Sequence, residues 1–540
     1  MKMNKYALYI ILTFVCYSFF YSNSNAQQIS YYNNETYNPF SKTIYKPGTN
    51  FHTSVKPYSI NKISQLTNVD SLIYDGMKMP LGNENFWKRI FKDHLLKWEN
   101  KDVSIRINPL FNLEAGKENE EGQNTWTNTR GFFIEGNIGK HFYFYTDVLE
   151  NQAVFPNYYD SFVQDRKVVP GQGKTRNLGE RTHDYAQSTG YISFNPAQWF
   201  NIQLGQGKNF IGDGHRSLLL SDVSYSYPYL KFSAEFNKAH YMVMWGQHRD
   251  LNIDSKLESN DARYLDKYSA THYLTINVGN RLSVGLFESV IWAAQDTMGQ
   301  RNFDWAYLNP IIFYRPVEYS IGSPDNMTMG ANLKYTIGKH NVLYGQFVMG
   351  EFKMDEVFSG NKWWANKQGF QLGLKCFDLF AIKNLYFQTE YNQVRPYTYS
   401  HREVITNYGH YNQELAHPLG ANFRESVSFL RYKTKRWLFS AELMYAMYGK
   451  DFDDEVSYGG NIYQNNNKRP GDYNHEIGQG LKTNLIYLDA SISYLINPRN
   501  NFNIAVGSRL RKEKNDLEEN NTQMLWFALR TSIKSLYTDF

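Results

Sequence analysis

The sequence predicts an all-β transmembrane fold, an outer-membrane barrel of about eighteen antiparallel strands. From Leu525 to Ile533 apolar side chains alternate with small or polar ones, and the sequence ends on the aromatic Phe540. This pattern is typical of a closing barrel strand with one face toward lipid and one toward the lumen. Aromatic residues make up 17% of the chain. After residue 26, no apolar run approaches the roughly 18 residues that a transmembrane helix needs, so we expect strands to cross the membrane.

Residues 1–26 have the composition of a signal peptide. Lys2 and Lys5 precede an apolar run from Tyr6 to Phe20, and the small residues before Gln27 fit cleavage after Ala26. The mature protein is therefore expected outside the cytoplasm, in the outer membrane.

The cysteines and the charge exclude several classes of protein. Cys16 does not fit a lipid anchor, because Val15 is not small and the apolar run continues past it. Cys376 is then the single mature cysteine, which excludes an internal disulfide or a cysteine-zinc site. The formal net charge is only +5, with two of the charges inside the signal peptide, so we expect no nucleic-acid partner.

The region before the barrel has two parts. Residues 27–82 show no clear periodicity and are expected to be extended. Residues 83–100 carry apolar positions at helical spacing from Glu84 to Trp98, with basic residues mostly on the other face. We expect this helix to pack on the barrel, to plug the lumen or to contact anionic lipid at the periplasmic face.

The barrel is expected over residues 101–540, with long and short connections in strict alternation. Short turns, such as Gly139-Lys140 and Asn237-Lys238, are typical of the periplasmic side, and long loops of the external side. The segment 294–327 is ambiguous, because Ile311 to Arg315 fits either a further strand or a loop folded into the lumen. The predicted strands are 103–115, 130–138, 141–149, 188–194, 199–206, 229–236, 239–248, 270–278, 282–292, 328–337, 341–350, 369–377, 384–394, 424–433, 437–447, 484–496, 501–511 and 523–535.

The sequence carries little sign of catalysis. It has no G-x-S-x-G elbow, no H-E-x-x-H zinc helix, no phosphate-binding glycine loop and no EF-hand spacing. The acidic run from Lys450 to Glu455 contains carboxylates that suit calcium, although a solvated external loop explains it as well. We expect a protein that is not an enzyme, with no metal and no cofactor.

Four loop blocks combine glycine, arginine and aromatic residues. They are 206–222, 307–316, 394–401 and 417–425. With these blocks the chain resembles the Wzi-like capsule assembly family of outer-membrane proteins, and in particular its Bacteroidetes branch, which includes RemB-type gliding motility proteins. The resemblance implies an eighteen-stranded barrel with a helical periplasmic element that binds capsular or other exopolysaccharide without enzymatic activity.

Candidate site residues follow from the chemistry of sugar recognition, because aromatic rings stack on sugar C–H faces and polar side chains bond hydroxyls. Packing within loops or an aromatic girdle explains the same residues. The candidate polysaccharide contacts are Trp363, Trp364, Arg395, Tyr397, Tyr399, His401, Tyr408, His410 and Tyr411. The residues expected to brace the loops and the lumen are Asp213, His215, Arg216, Arg315 and Arg424.

Three functions remain open from the sequence. The first is polysaccharide binding in capsule assembly, with surface polysaccharide and outer-membrane lipid as partners. The second is an accessory of gliding or secretion machinery, and the third is a passive porin-like channel. A filled lumen would argue against the channel.

Overall fold

The computed structural model describes residues 33–78, 85–119, 122–251, 264–296, 299–310, 313–322, 325–351, 353–531 and 536–540. Eighteen long strands close into one antiparallel barrel. The predicted signal peptide, 1–26, lies outside the described residues. In chain order the strands are β1 Val103–Glu118, β2 Asn124–Ile138, β3 Phe142–Val154, β4 His183–Ala197, β5 Phe200–Gly207, β6 Tyr227–Phe236, β7 Ala239–Asp250, β8 Leu265–Val278, β9 Leu282–Ala293, β10 Asn326–Ile337, β11 Asn341–Met349, β12 Gln368–Phe377, β13 Leu385–Val394, β14 Phe423–Thr434, β15 Trp437–Lys450, β16 Leu481–Asn497, β17 Phe502–Lys514 and β18 Glu519–Arg530.

Each strand pairs with the next one along the chain, and β18 returns to β1. The closing ladder runs from Met524 opposite Glu118 to Arg530 opposite Asn112. The predicted fold class and the number of strands are therefore confirmed. Among the described residues, no helix has the length and apolar character needed to span a bilayer.

Side chains alternate between a polar lumen and an apolar outer surface. On β13, Gln388, Glu390 and Asn392 are buried inside. The outer face of the wall carries large exposed apolar residues that only lipid can cover at this density. They include Leu286, Leu333, Leu372, Leu443, Val506 and Phe527. The protein is an outer-membrane β-barrel.

Two external connections are shorter than predicted. Residues 119–123 join β1 to β2, and residues 515–518 join β17 to β18. These strands continue beyond the apolar belt as polar hairpins, where Lys512 and Lys514 each lie 2.7 Å from Glu519. A charged hairpin shows no apolar alternation, so the prediction ended these strands too early.

The segment expected to be extended, 27–82, is largely helical where it is described. It forms α1 Asn34–Ile44, α2 Ile60–Leu66 and α3 Val69–Ile73. Tyr37, Phe40 and Ile44 lie on one face of α1 and pack with Phe210 and Phe377 in a buried cluster inside the barrel. The prediction was wrong because these aromatic residues repeat at helical spacing among Asn and Ser residues that favour turns.

The predicted helix from Glu84 to Trp98 is also shorter. Its helical part is α4, Phe86–Lys92, and Leu96–Glu99 is a strand that pairs with the first part of β1. The amide of Asn497 donates to the carbonyl oxygens of Ile90 and Asp93, both at 2.9 Å, and so satisfies free carbonyls at the end of α4. Leu96–Glu99 extends the barrel wall beside β1, on the periplasmic side of the point where β18 stops pairing with β1.

Residues 536–540, which follow β18, lie inside the lumen. β18 ends at Arg530, so the predicted end at residue 535 was too late, and residues 532–535 lie outside the described part. The ring of Phe540 lies 4.6 Å from Phe162 and 5.5 Å from Tyr159, both on α5, Asn157–Arg166. Phe540 is therefore not the terminal aromatic of the closing strand.

The ambiguous connection between β9 and β10 lies on the outside of the wall in its described parts. It contains a short 3-10 helix, Trp305–Leu308, and α6, Arg315–Ile321. It does not fold into the lumen, and residues 311–312 of the proposed strand fall outside the described part of the chain.

Candidate functional site

Within the described residues, five parts of the chain fill the lumen. They are residues 33–78, residues 155–173 of the β3–β4 connection, the β5–β6 connection 208–226, the β13–β14 connection 395–422, and the tail 536–540. Val55–Lys56 pairs with Phe210–Ile211 as a small sheet inside the barrel. The filling contacts strands all round the wall, for example Asn332 on β10, Lys267 on β8 and Arg511 on β17.

Arg216 lies at the centre of the filling and is fully buried. Its guanidinium donates to Glu425 of β14 at 3.0 Å and to Asp539 of the tail at 2.6 Å. His417 lies 2.9 Å from the other oxygen of Glu425. Burial alone would lower the pKa of Arg216, but the carboxylates of Asp539 and Glu425 raise it above its ordinary value. Arg216 therefore joins a loop, the wall and the tail.

Asp213 fixes the N-terminal filling to the same loop. It accepts hydrogen bonds from Tyr45 at 2.9 Å, Thr53 at 2.5 Å and Asn332 at 3.1 Å. Burial opposes ionisation, yet the charge of Lys334 and the bond from Thr53 hold the pKa of Asp213 below its ordinary value. The carboxylate is thus charged and fully engaged, as its predicted bracing role requires.

His215 is uncharged in the lumen. Its backbone N–H donates to Glu390 at 2.8 Å, and its ring lies 4.4 Å from that of Phe429. Burial, helped by Arg216, lowers the pKa of His215 to about 3. His215, Glu442 and Asp539 place possible metal ligand atoms within 4.8 Å of one another. Because Asp539 pairs with Arg216, that positive charge disfavours a cation there.

Three of the four tyrosines among the predicted sugar contacts are buried. Tyr397, Tyr399 and Tyr408 are at most 1% exposed. Their hydroxyls donate to the carbonyl oxygens of Ser457 at 2.8 Å, Leu218 at 2.7 Å and Leu219 at 2.7 Å, respectively. They hold the loops together and cannot stack on a sugar in this conformation, which corrects the prediction for all three.

The predicted basic contacts are also structural. Arg395 donates to the carbonyl oxygens of Asn366 at 2.9 Å and Trp363 at 3.2 Å. His401 and His410 are buried, and burial lowers their pKa values to about 4 and about 3. Tyr411 is half-buried and lies 4.9 Å from the ring of Tyr225. These side chains stabilise the external end of the filling.

Trp363 and Trp364 lie in an external loop and are partly exposed, as Arg395 and Tyr411 are. The loop 353–367 is locked to the loop 451–480 by backbone hydrogen bonds. Trp364 N–H donates to Asp472 at 2.9 Å, and Asn474 N–H donates to Asn361 at 3.0 Å. We call these two loops the loop platform.

The loop platform contains residues that the prediction missed. The guanidinium of Arg469 lies 4.0 Å from the centre of the Trp364 ring and 2.6 Å from Asp472. Tyr473 and Phe358 are exposed nearby, and Tyr473 donates to Glu356 at 3.4 Å. The Arg-Pro-Gly-Asp-Tyr run at 469–473 signals a tight turn with an aromatic residue and could have been singled out.

Two predicted bracing residues lie outside the lumen. Arg315 is on the outer wall, mostly exposed, with Glu318 as its partner at 2.6 Å. Arg424 is exposed on the outer face of β14. The prediction for both was wrong. Arg315 belongs to a connection that follows the outside of the wall, and Arg424 is one residue from the lumen-facing Glu425, so it faces the opposite side of β14.

The comparisons with known proteins support the fold. A scan against protein-family models and a search of curated proteins found no match. One similar solved structure is Wzi, an outer-membrane protein involved in group 1 capsule assembly in Escherichia coli and described as a carbohydrate-binding β-barrel. It has 13% sequence identity to this chain and a TM-score of 0.51. The match covers 94% of this chain and 100% of Wzi. Pseudomonas aeruginosa OprD has 10% identity, covers 81% of this chain and 96% of its own, and has a TM-score of 0.41. Acinetobacter baumannii OccAB4 has 9% identity, covers 80% and 98%, and has a TM-score of 0.42. At 13% identity, the likeness to Wzi shows a shared barrel fold.

Proposed function

We propose that this protein binds capsular or other exopolysaccharide at the cell surface through the loop platform, without enzymatic activity. The observation that carries the proposal is the locked pair of external loops, on which Phe358 and Tyr473 are exposed and Trp363 is partly exposed. Exposed aromatic rings on a rigid support are the surface that sugar rings bind by stacking.

The neighbouring charges suit the rest of a sugar. Lys362 pairs with Glu476 across the two loops, and Arg469 pairs with Asp472 within one of them. Such pairs offer both donors and acceptors to hydroxyl groups. Because the loops are held by backbone hydrogen bonds, little conformational entropy is lost when a glycan binds.

The filled lumen argues against the passive channel. The five filling parts cross-link the wall from inside through buried ion pairs and hydrogen bonds. The fold shared with Wzi, whose own description is of a carbohydrate-binding barrel, is consistent with a glycan partner for this chain.

The test is a variant with Phe358, Trp363 and Tyr473 all replaced by Ala. We expect the barrel to insert normally and to lose most of its binding to purified capsule from the same cells. Trp364 is left in place because it packs against Arg469 and Tyr397. The matched control is Tyr319→Ala, an exposed aromatic residue on the outer wall. A correctly inserted triple variant that binds glycan like the control would rule out the loop platform.

A role in gliding or secretion is the second candidate, and one observation favours it. The apolar residues Phe86, Trp87 and Phe91 of α4 are exposed at the periplasmic edge, next to Leu96 and Trp98. This surface fits a protein or lipid contact in the periplasm. Spreading defects with an intact capsule in a deletion strain would favour this role, and capsule loss with normal spreading would favour the first.

A further inference from the structure

The connection between β9 and β10 lies flat against the outside of the barrel. Its described residues 299–310 and 313–322, which we call the outer-wall segment, cover outward-facing side chains of β7 and β9. The indole N–H of Trp245 donates to the carbonyl of Tyr307 at 2.9 Å, and that of Trp292 donates to Asn302 at 3.0 Å. Tyr307 and Tyr314 are fully buried in this cluster.

The outer-wall segment also covers polar groups. Glu288 of β9 stands opposite His272 of β8 in the strand ladder. Glu288 accepts hydrogen bonds from the backbone N–H groups of Phe313, at 2.6 Å, and Tyr314. The ring of Tyr314 stacks on His272 at 4.2 Å. Both polar side chains are buried although they point away from the lumen.

The height of Glu288 places it within the lipid belt. It is the seventh of the twelve residues of β9, counted from the periplasmic end. A tilted strand of this length rises about 30 Å, close to the roughly 25 Å of the apolar belt. Leu286 lies two residues nearer the periplasm on the same face of β9, and its side chain is exposed like the rest of the apolar belt. A bare carboxylate at this height would face hydrocarbon, which is costly.

The outward surface of the segment is apolar. Trp305 is 76% exposed, Phe313 64% and Tyr319 88%. Its charged groups are paired: Arg301 contacts Asp304 and Asp325, both at 2.7 Å, and Arg315 contacts Glu318. The stem of Arg315 is long enough to carry its charge toward the headgroups.

We propose that the outer-wall segment is embedded in the outer half of the membrane, where Trp305, Phe313 and Tyr319 contact lipid acyl chains while the segment seals Glu288 and His272 from them. The occupant is lipid because this surface lies directly above Leu286 on the same outer face as the lipid-facing belt, and its most exposed large side chains are aromatic.

The first test uses single cysteines in a Cys376→Ala background, at Phe313, Tyr319, Leu286 and Asn361. Each carries an environment-sensitive fluorophore in liposomes that contain doxyl-labelled lipid. We expect quenching at Phe313→Cys and Tyr319→Cys to match Leu286→Cys, and to be absent at Asn361→Cys. On intact cells, an impermeant maleimide should label Asn361→Cys and leave the two segment positions largely unlabelled. Labelling of Tyr319→Cys at the rate of Asn361→Cys, or protection in cells without quenching in liposomes, would overturn the proposal; the second result would point to a protein cover.

The second test concerns the seal. Replacement of residues 299–322 by a short Gly-Ser linker should reduce the yield of heat-modifiable barrel, and the added changes Glu288→Leu and His272→Leu should restore it. Normal yield from the linker variant alone, or no restoration by the two leucines, would contradict a sealing role.

Discussion

Arg216 and Asp539 form a buried ion pair, with 2.6 Å between Nη2 and the carboxylate, that joins the β5–β6 connection to the tail after β18. Glu425 of β14 accepts from the same guanidinium at 3.0 Å. All three side chains are shielded from water, so the charge of each depends on the other two. The filling of the lumen is thus fixed to the wall at one central point.

Replacing Arg216 by Ala should strongly destabilise the folded barrel. It leaves two carboxylates buried without their partner, which typically costs about 3 to 5 kcal/mol. The temperature at which the heat-modifiable form is lost on a gel measures the effect. Lys514→Ala, at an exposed ion pair with Glu519, is the control and should change this temperature little. Equal temperatures for the two variants would show that the central pair does not hold the structure.

Removing residues 33–78 should open the barrel to ions. The wild-type protein should show very low conductance in a planar bilayer, because the N-terminal helices pack inside the wall. The deletion variant should conduct measurably, while Trp363→Ala should behave like wild type. High conductance of the wild-type protein would support a channel function instead.

Asp451 should destabilise the loop 451–480 more at about pH 7.5 than at about pH 5. Burial, with the neighbouring Asp454 and Asp453 carboxylates, raises the pKa of Asp451 to about 6. An acid with a raised folded-state pKa binds its proton more tightly when folded, so its destabilising effect is present above that pKa and is lost as the pH falls. Asp451→Asn should therefore slow proteolysis of the loop at about pH 7.5 and have less effect at about pH 5. Glu455→Gln, an exposed acidic position in the same loop, is the control. An Asp451→Asn loop that is cut at the wild-type rate at about pH 7.5 would contradict the assignment.

Changes at Leu529 and Phe540 should have different effects. Leu529→Arg puts a charge on the lipid face of β18 and should impair insertion, at a cost of roughly 2 to 4 kcal/mol. Phe540→Ala removes a ring that packs on α5 inside the barrel. We expect it to insert normally and to increase proteolysis near α5. A failure of Phe540→Ala to insert would restore the terminal aromatic to the role expected from the sequence.

The strands could be predicted because each one repeats the same alternation between water and lipid. The packing of the segments inside the lumen could not be predicted in this way. Tyr397 and Tyr399 carry the same pattern of aromatic and polar neighbours as exposed sugar contacts, and only burial distinguishes the two. The packing of Tyr397 depends on Ser457, sixty residues away, and no local pattern records such a contact.

The sequence of β9 contains one indication that a segment covers the outer wall. Glu288 occupies an outward position in a strand where its neighbours on the same face are apolar, which is an unfavourable place for a carboxylate. A charged residue at such a position predicts that protein, not lipid, covers it. The same reasoning could not place Arg315, because its connection has no periodicity that reveals which side of the wall it follows.

The segments 33–78 and 536–540 flank the two strands that form the seam, β1 and β18. Both segments end up inside, and both contact the β5–β6 connection, through Asp213 and Arg216. We infer that during biogenesis these segments enter the lumen before or while β18 pairs with β1. Filling of the lumen and closure of the barrel would then be a single step. An assembly intermediate with a paired seam and a protease-accessible 33–78 segment would contradict this order.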